Sequence, residues 1–441
     1  MMKPAMLLEE TARGAAAAIT PAKIWGRVAA VDGGALRVAG LEGRARVGDA
    51  VEIGGVLAGE VIAIDGQSVV VMPSMPVHGI AAGARAYIRP DEGAWPCEAW
   101  LGRVLDAFGR AFDGTPAPRG ASPRPLAPPA LPVSARRSLG PRLNTGLAAF
   151  DTFLPLCRGQ RIGLFAGSGV GKSTLLADLA RGVEADVAVL ALIGERSREV
   201  REFVEETLGP EGRKRAVVIV STCDDPAPVK RRAALLAMTA AEYFRDQGRH
   251  VLFVFDSVTR FAEAYREIGL TAGETPSLRA YPPSTFRTVA ALAERAGPGA
   301  GTAGDITAIF SVLVAGSDMD EPIADMMRGI LDGHVVLERA IAERGRFPAI
   351  DIRRSVSRSL PRAASEEENR LLAEGRALIA AYEEAAAMIQ TGLYAKGGDP
   401  VIDRAIDVWP ALDAFVAGKS GGCEEAFARL SSILSASRSA D

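Results

Sequence analysis

Residues 166–174 read AGSGVGKST. This is the pattern of a glycine-rich phosphate loop, G-x-x-x-x-G-K-[ST], with alanine in place of the first glycine. The apolar run RIGLFA precedes it, and STLLADLARGV follows with Leu175, Leu176 and Leu179 on one helical face. A loop between a strand and a helix start turns backbone N–H groups and the helix dipole toward phosphate. Gly167, Gly169 and Gly171 allow close backbone approach, whereas Ala166 adds one methyl and excludes only positive φ. Lys172 would reach the β- and γ-phosphates, and the Ser173 hydroxyl would ligate Mg²⁺. A tight glycine-rich turn with no ligand is the alternative, and Gly-Lys-Ser between strand and helix speaks against it.

Two carboxylates stand where such a loop needs them. HVLFVFDSVTR is an apolar strand ending in Asp256, which would hold Mg²⁺ through water at the carboxyl edge of a sheet. DVAVLALIGERSREVREF places Glu195 at the end of another strand. There it could orient or deprotonate a water facing the γ-phosphate. It could equally be a helix-start glutamate favoured by the macrodipole. From the residues alone both readings stay open.

The elements that would carry these groups are legible in the texture of the chain. Between residues 23 and 89, KIWGRVAAV, ALRVAGL, AVEIGGV, GEVIAID and SVVVMP are short runs separated by glycine-containing breaks. That spacing predicts a small all-β barrel or sandwich. The stretch 113–141, DGTPAPRGASPRPLAPPALPVSARRSLGP, favours extended chain and reads as an ordered surface connector. RIGLFAG, DVAVLALIG, RAVVIVST, HVLFVFD and DITAIFSVLV are apolar throughout, as in a parallel sheet buried on both faces. After Pro361, SEEENRLLAEGRALIAAYEEAAAMIQ opens with the capping-box spacing Ser365–Glu368. Leu371, Leu378, Ile379, Tyr382, Ala386 and Ile389 then recur at helical period. The expected class is a multidomain α/β protein. Its parts would be a helical segment at 1–22, a β-barrel at 23–92, a phosphate-loop core at 93–360 and a helical domain at 361–441.

Bulk properties narrow the function. The 441 residues are 48% hydrophobic and 24% charged with net charge −3, which gives no electrostatic case for nucleic-acid or anionic-membrane binding. Four scattered cysteines and three histidines argue against a zinc cluster and for a reducing compartment. No apolar run is long enough to span a bilayer. Glu9 and Glu10 interrupt what would be the apolar part of a signal peptide, so a cytoplasmic protein is expected.

Longer blocks carry a resemblance. GERSRE, STCDDPAPVKRRAALLAMTAAEYFRDQG, AYPPSTF, SVSR, GRVLDAFGRAFDG and DMDEPIADMMRGILDGHVVLERAIAERGRFPAIDI resemble the rotary ATP synthase catalytic-subunit family and its secretion-ATPase relatives. The likeness runs from about residue 23 to residue 410 in the family's order: β-barrel, RecA-like ATPase core with a mostly parallel sheet, helical C-terminal domain. GDITAIFSVLVAGSDMDEPIAD, ERGRFPAIDI and GLYAKGGDPVIDRAI are most similar to the flagellar type III protein export branch. Virulence type III secretion ATPases and rotary synthase catalytic subunits are the alternatives.

The resemblance implies ATP hydrolysis with Mg²⁺ and assigns residues by position. Gly167, Ser168, Gly169, Val170, Gly171, Lys172, Ser173 and Thr174 match the phosphate loop, where relatives also accept alanine at the position of Ala166. Glu195 matches the catalytic glutamate, Arg196 and Glu199 its neighbours near γ-phosphate and magnesium, Asp256 the magnesium-site aspartate, and Arg260 a nearby support. Arg358 matches an arginine that reaches the next subunit's site; otherwise it is a surface arginine among Arg353, Arg354 and Arg362. Phe347 and Tyr394 match aromatic positions of the adenine pocket, or else pass as core aromatics. Related non-catalytic subunits carry glutamine at the position of Glu195, so one chain with Glu195 and Arg358 fits a homo-oligomeric ring, six copies by resemblance. The implied partners are a stator-like regulatory subunit at the N-terminal helix, export gate components, chaperones and cargo, at the cytoplasmic face of the inner membrane. An RNA translocase would need aromatic and basic clustering in the β-rich segment, which is missing.

Overall fold

The computed structural model describes residues 24–32, 34–89, 93–112, 115–129, 131–314 and 318–436. The expected helix at 1–22, with its proposed partner contact, lies outside them. The chain divides into two units, Met1–Asp91 and Glu92–Asp441.

In the first unit, six antiparallel strands close a barrel in the order β1-β2-β5-β4-β3-β6. These are β1 (Trp25–Asp32), β2 (Ala35–Ala39), β3 (Ala50–Ile53), β4 (Val56–Ile64), β5 (Val69–Pro73) and β6 (Arg85–Arg89). Alternation puts Val28, Val38, Val51, Val61 and Val71 inside, as a period of two requires. The five apolar runs account for β1 to β5. The closing strand β6, sequence RAYIR, is less apolar and escaped that pattern.

The second unit is built on a sheet of order β15-β14-β8-β13-β11-β9-β10-β7, with β12 paired to β13. Its strands are β7 (Val104–Leu105), β8 (Arg161–Ala166), β9 (Val187–Glu195), β10 (Ala216–Thr222), β11 (Val251–Asp256), β12 (Gly297–Pro298), β13 (Asp305–Leu313), β14 (Gly333–Leu337) and β15 (Ile350–Ser357). From β14 to β7 neighbours run parallel; β15 and β12 pair antiparallel at their places. The central strands are apolar on both faces because both faces are covered. In β9, Ala188, Leu190 and Leu192 point into one apolar cluster, and Val187, Val189, Ala191 and Ile193 into the other.

The second cluster is completed by α2 (Ala227–Asp246), α3 (Val258–Thr271), α4 (Pro283–Arg295) and α5 (Pro322–Ile330). The first takes α1 (Lys172–Gly182) together with α6 (Glu366–Gln390), α7 (Pro400–Ala417) and α8 (Cys423–Ala436). The helices after Pro361 thus share one core with the sheet. Helix α6 starts at the expected capping box: Glu368 N–H donates to Ser365 Oγ at 3.1 Å, and Ser365 N–H to Glu368 Oε2 at 2.7 Å. Its inward face is shifted from the expected one, with Leu372 and Ala385 buried rather than Leu371 and Ala386. The cause is a close approach at Gly375, where a Cβ would come within 2.9 Å of the Phe153 ring.

The described part of the proline-rich stretch is fastened to helices: Arg295 donates to Leu126 O at 2.7 Å, and Arg124 pairs with Asp246 at 2.5 Å. Among the described residues no helix is long and apolar enough to cross a membrane.

Candidate nucleotide site

Strand β8 ends at Ala166, which is buried and stands opposite Leu313 of β13 and Leu337 of β14. Its carbonyl accepts Val314 N–H at 3.0 Å. Among the described non-glycine residues positive φ occurs only at Arg279 and Ala280, so this end of the strand does not need glycine. The turn that follows does. Gly169 and Gly171 have φ of +78° and +83°, a region costly for other residues. Around Gly169 a Cβ would meet nothing within 4 Å, so the crest of the loop is open. Ser173 and Thr174 stand in the first turn of α1, both exposed. Phe347 packs its ring on Gly171, whose Cβ would lie 3.0 Å from Phe347 Cδ1, while remaining 51% exposed.

The carboxylates arrive from neighbouring strand ends. Asp256 closes β11 and is buried; Lys172 Nζ pairs with its Oδ1, and Ser311 Oγ donates to the same oxygen at 2.5 Å. Ser311 lies on β13, the strand between β8 and β11. Sequence reading missed it, since a serine inside an apolar run shows its role only when strand order is known.

Strand β9 extends past the level of Asp256, which pairs with Leu192, and so carries Glu195 three residues further out. Gly194 makes that end possible, with φ of +70° and the Arg260 stem laid against it at 3.1 Å from where a Cβ would be. Glu195 Oε1 is 3.7 Å from Lys172 Nζ. Burial first, then the charge of Asp256, push the Glu195 carboxyl up to about 7, with Lys172 opposing the rise. A carboxyl held there is poised to accept a proton near neutral pH.

The other expected residues occupy distinct places. Arg196 and Glu199 are exposed and paired with each other at 2.6 Å, beside Glu195. Arg260 pairs with Glu263 at 2.8 Å, and both line a cavity of about 370 Å³ with Ala166, Gly167 and Ser168. Tyr394 lies in the turn between α6 and α7, its hydroxyl 2.9 Å from Asp403 Oδ1 and accepting Asp399 N–H at 3.1 Å.

Arg358 stands apart. Because β15 is antiparallel to β14, Ile350 pairs with Leu337 at the level of Ala166, and Ser357 pairs with Gly333 at the other end. Four residues of rise at about 3.3 Å each separate those levels, roughly 13 Å. Arg358 follows Ser357, exposed at the edge of the sheet opposite the phosphate loop, its guanidinium donating to Arg328 O at 3.0 Å.

Comparison with known proteins follows the same outline. Residues 146–357 match the model of the ATP synthase alpha/beta family, nucleotide-binding domain, and residues 364–423 that of the T3SS EscN ATPase C-terminal domain. The flagellum-specific ATP synthase of Caulobacter vibrioides is 48% identical, covering 94% of this chain and 97% of that protein. That of Salmonella typhimurium is 45% identical, covering 81% and 80%. The structure of the assembled ATPase EscN from the enteropathogenic E. coli type III secretion system superposes with a TM-score of 0.85 at 39% identity, covering 93% of this chain and all of that one. A second structure holds EscN in complex with its central stalk EscO and gives a TM-score of 0.84. The chain belongs to the ATP synthase alpha/beta family, in its branch of flagellum-specific ATP synthases and type III secretion ATPases.

Proposed function

We propose that this ATPase works as a ring of six copies in which every nucleotide site is shared, with Lys172, Glu195 and Asp256 from one subunit and Arg358 from the next. The observation that carries the reading is the register of β15: it puts Arg358 at the edge opposite its own phosphate loop, which supports a role at the loop of another copy. The assembled state of EscN supports a ring. Within a subunit, backbone N–H groups from Gly167 to Thr174 cradle the phosphates and Lys172 offsets their charge. Glu195 orients the attacking water and takes its proton, with Arg196 near the γ-phosphate and Arg260 a support beside Asp256. Phe347 and Tyr394 flank the adenine.

The oxygen donors present fit Mg²⁺. The described residues hold no group of three or more His, Cys, Asp or Glu able to bind a metal. A cation here would take the Ser173 hydroxyl, reach Asp256 through water, and complete its shell with water and phosphate oxygens. Glu199 is a further oxygen donor within the site. Held by these donors, an Mg²⁺ ion would supply charge neutralisation at the phosphate oxygens.

The work done is export of flagellar proteins through the type III apparatus. The chain acts in the cytoplasm at the inner membrane, and binds no nucleic acid. A stator-like subunit binds residues 1–22, a stalk engages the ring, and the C-terminal helices pass changes to gate components, chaperones and cargo. The test of the shared site is subunit mixing. Arg358→Ala and Lys172→Ala proteins, each inactive alone, regain part of the ATPase activity when mixed, because one interface then holds both intact groups. No recovery at any ratio overturns the shared site.

A further inference from the structure

Strand β15 carries an irregularity that the sheet satisfies only in part, Ser355 Oγ taking Val336 N–H at 2.9 Å. Asp351 pairs with Val336 and Val356 with His334, so the four residues 352–355 stand opposite Val335 alone. Such a bulge frees backbone groups from the ladder. The amides of Arg353 and Arg354 turn onto Asp351 Oδ1 at 2.9 and 3.1 Å. The carbonyls of Ile352 and Ser355 turn the other way, onto the Arg376 guanidinium of α6, at 2.7 and 3.4 Å.

Arg376 spends its bonds there on carbonyls. A further one goes to Phe153 O at 2.8 Å, and its charge lies over the Phe153 ring at 5.8 Å. Burial lowers its pKa. A half-buried arginine committed to backbone carbonyls is costly unless those carbonyls would otherwise be orphaned. The bulge supplies that condition.

Beyond the bulge the strand is held stiffly up to Arg358. Ser357 Oγ donates to Pro155 O at 2.7 Å, and Ser359 Oγ approaches the same carbonyl at 3.3 Å. Arg358 N–H donates to Asp332 O at 2.9 Å. Arg358 is thus tied into a stiff strand end, and the bulge three residues upstream, where Ser355 Oγ accepts Val336 N–H at 2.9 Å and donates to Asp351 O, joins that end rigidly to what lies beneath it. Arg376 holds the bulge from a helix of the C-terminal layer.

We infer that Arg376 is a positioning residue: through the β15 bulge it sets where Arg358 stands, and so couples the C-terminal helices to the nucleotide site of the neighbouring copy. This rests on the shared-site reading. A misplacement of the order of 1 Å in a reacting group costs about 10²-fold in rate. Movement of α6 relative to the sheet is then felt in the next subunit's turnover, not in its own nucleotide binding.

The test repeats the mixing experiment with Arg376→Ala, and with Arg376→Gln as a variant that keeps a neutral donor on a shorter side chain. Alone, Arg376→Ala lowers kcat by about 10- to 100-fold and leaves KM for ATP within about twofold; Arg376→Gln loses less. Thermal melting and gel filtration establish that both variants fold and assemble. Mixed with Lys172→Ala subunits, either regains activity to the extent that Arg358→Ala does, since the Lys172→Ala subunit supplies a well-placed Arg358. Wild-type turnover in Arg376→Ala overturns the inference. So does failure of Arg376 mixtures where Arg358 mixtures recover, or a variant that does not assemble while Arg376→Gln is fully active. If Arg358 mixtures also fail, the shared-site reading falls first and this inference with it.

Discussion

Ser311 Oγ donates to Asp256 Oδ1 at 2.5 Å, from a strand that the chain completes about fifty residues after Asp256. The pair joins two adjacent strands beside the one that leads into the phosphate loop, and both residues are buried. Asp256 is thereby held from one side by a neutral donor and from the other by Lys172.

Removing that donor is the first prediction. Ser311→Ala leaves a buried carboxylate oxygen short of one bond, a loss of about 1.5–3 kcal/mol for a bond to a charged group. The melting temperature falls, and the Mg²⁺ concentration at half-maximal ATPase activity rises. An unchanged Mg²⁺ dependence shows that Ser311 does not orient Asp256.

Glu195 makes the site pH-dependent in two directions. Its carboxyl titrates near 7 in the folded chain against 4.5 as the ordinary value. As a base it acts only when ionised, so kcat/KM for ATP rises as pH increases through about 7. Glu195→Gln keeps nucleotide binding and loses turnover by about 10²–10⁴-fold. Stability moves the other way. The folded state holds its proton longer than the unfolded one, so the wild-type group costs stability as pH rises from 4.5 to about 7. Glu195→Gln therefore melts higher than wild type above about pH 7, and the gain vanishes below pH 4.5. A melting curve without that crossover removes the burial argument.

Phe347 touches the loop without touching its chemistry. Phe347→Ala removes a half-exposed ring from Gly171, so the expected change is a rise in KM for ATP with kcat nearly unchanged, the mark of lost uniform binding. A selective fall in kcat places the ring in the reaction instead.

Ala166→Gly restores the commoner loop residue and gains nothing. The position is an ordinary strand end, so glycine adds only unfolded-state freedom, about 0.5–1 kcal/mol of destabilisation. Turnover stays nearly unchanged, because no reacting atom is moved. A clear gain in rate means that the methyl hinders the loop.

The helix cap at the start of the C-terminal layer sets an acid limit. Burial pushes the Glu368 carboxyl up, and the Arg142 guanidinium with the Ser365 N–H more than offsets it, leaving the pKa below its ordinary 4.5. That bond stabilises the fold above pH 4.5 and is lost as pH falls through the depressed value. Glu368→Gln lowers the melting temperature at neutral pH and makes no difference in strong acid. Equal melting at about pH 7 refutes it.

Much of the fold, and the strand ends that carry the candidate site, are legible in the residues themselves. Buried parallel strands announce themselves as unbroken apolar runs, and RIGLFA, VAVLALIGE and VLFVFD end where the chemistry sits. Strands β14 and β15 did not announce themselves; an edge strand such as IDIRRSVS carries Arg353 and Arg354 outward and so breaks the apolar run. Arg358 was visible as a residue, yet its distance from its own phosphate loop was not. That distance depends on β15 running antiparallel, which spacing along a chain does not encode. Ser311 was hidden for a related reason: strand order brings it to Asp256 from across a gap in sequence. The shifted face of α6 came from Gly375 against Phe153, a contact between segments more than two hundred residues apart.

The apolar cluster on one face of the sheet runs without a break from Leu190 and Val218 to Leu378, Leu412 and Phe427. A layer so bonded cannot swing like a door, since opening it would wet the interior of the enzyme itself. Its available motion is a slide of packed side chains over one another by small steps. A chain cut before residue 366 would expose that face, so the truncated protein should precipitate rather than idle.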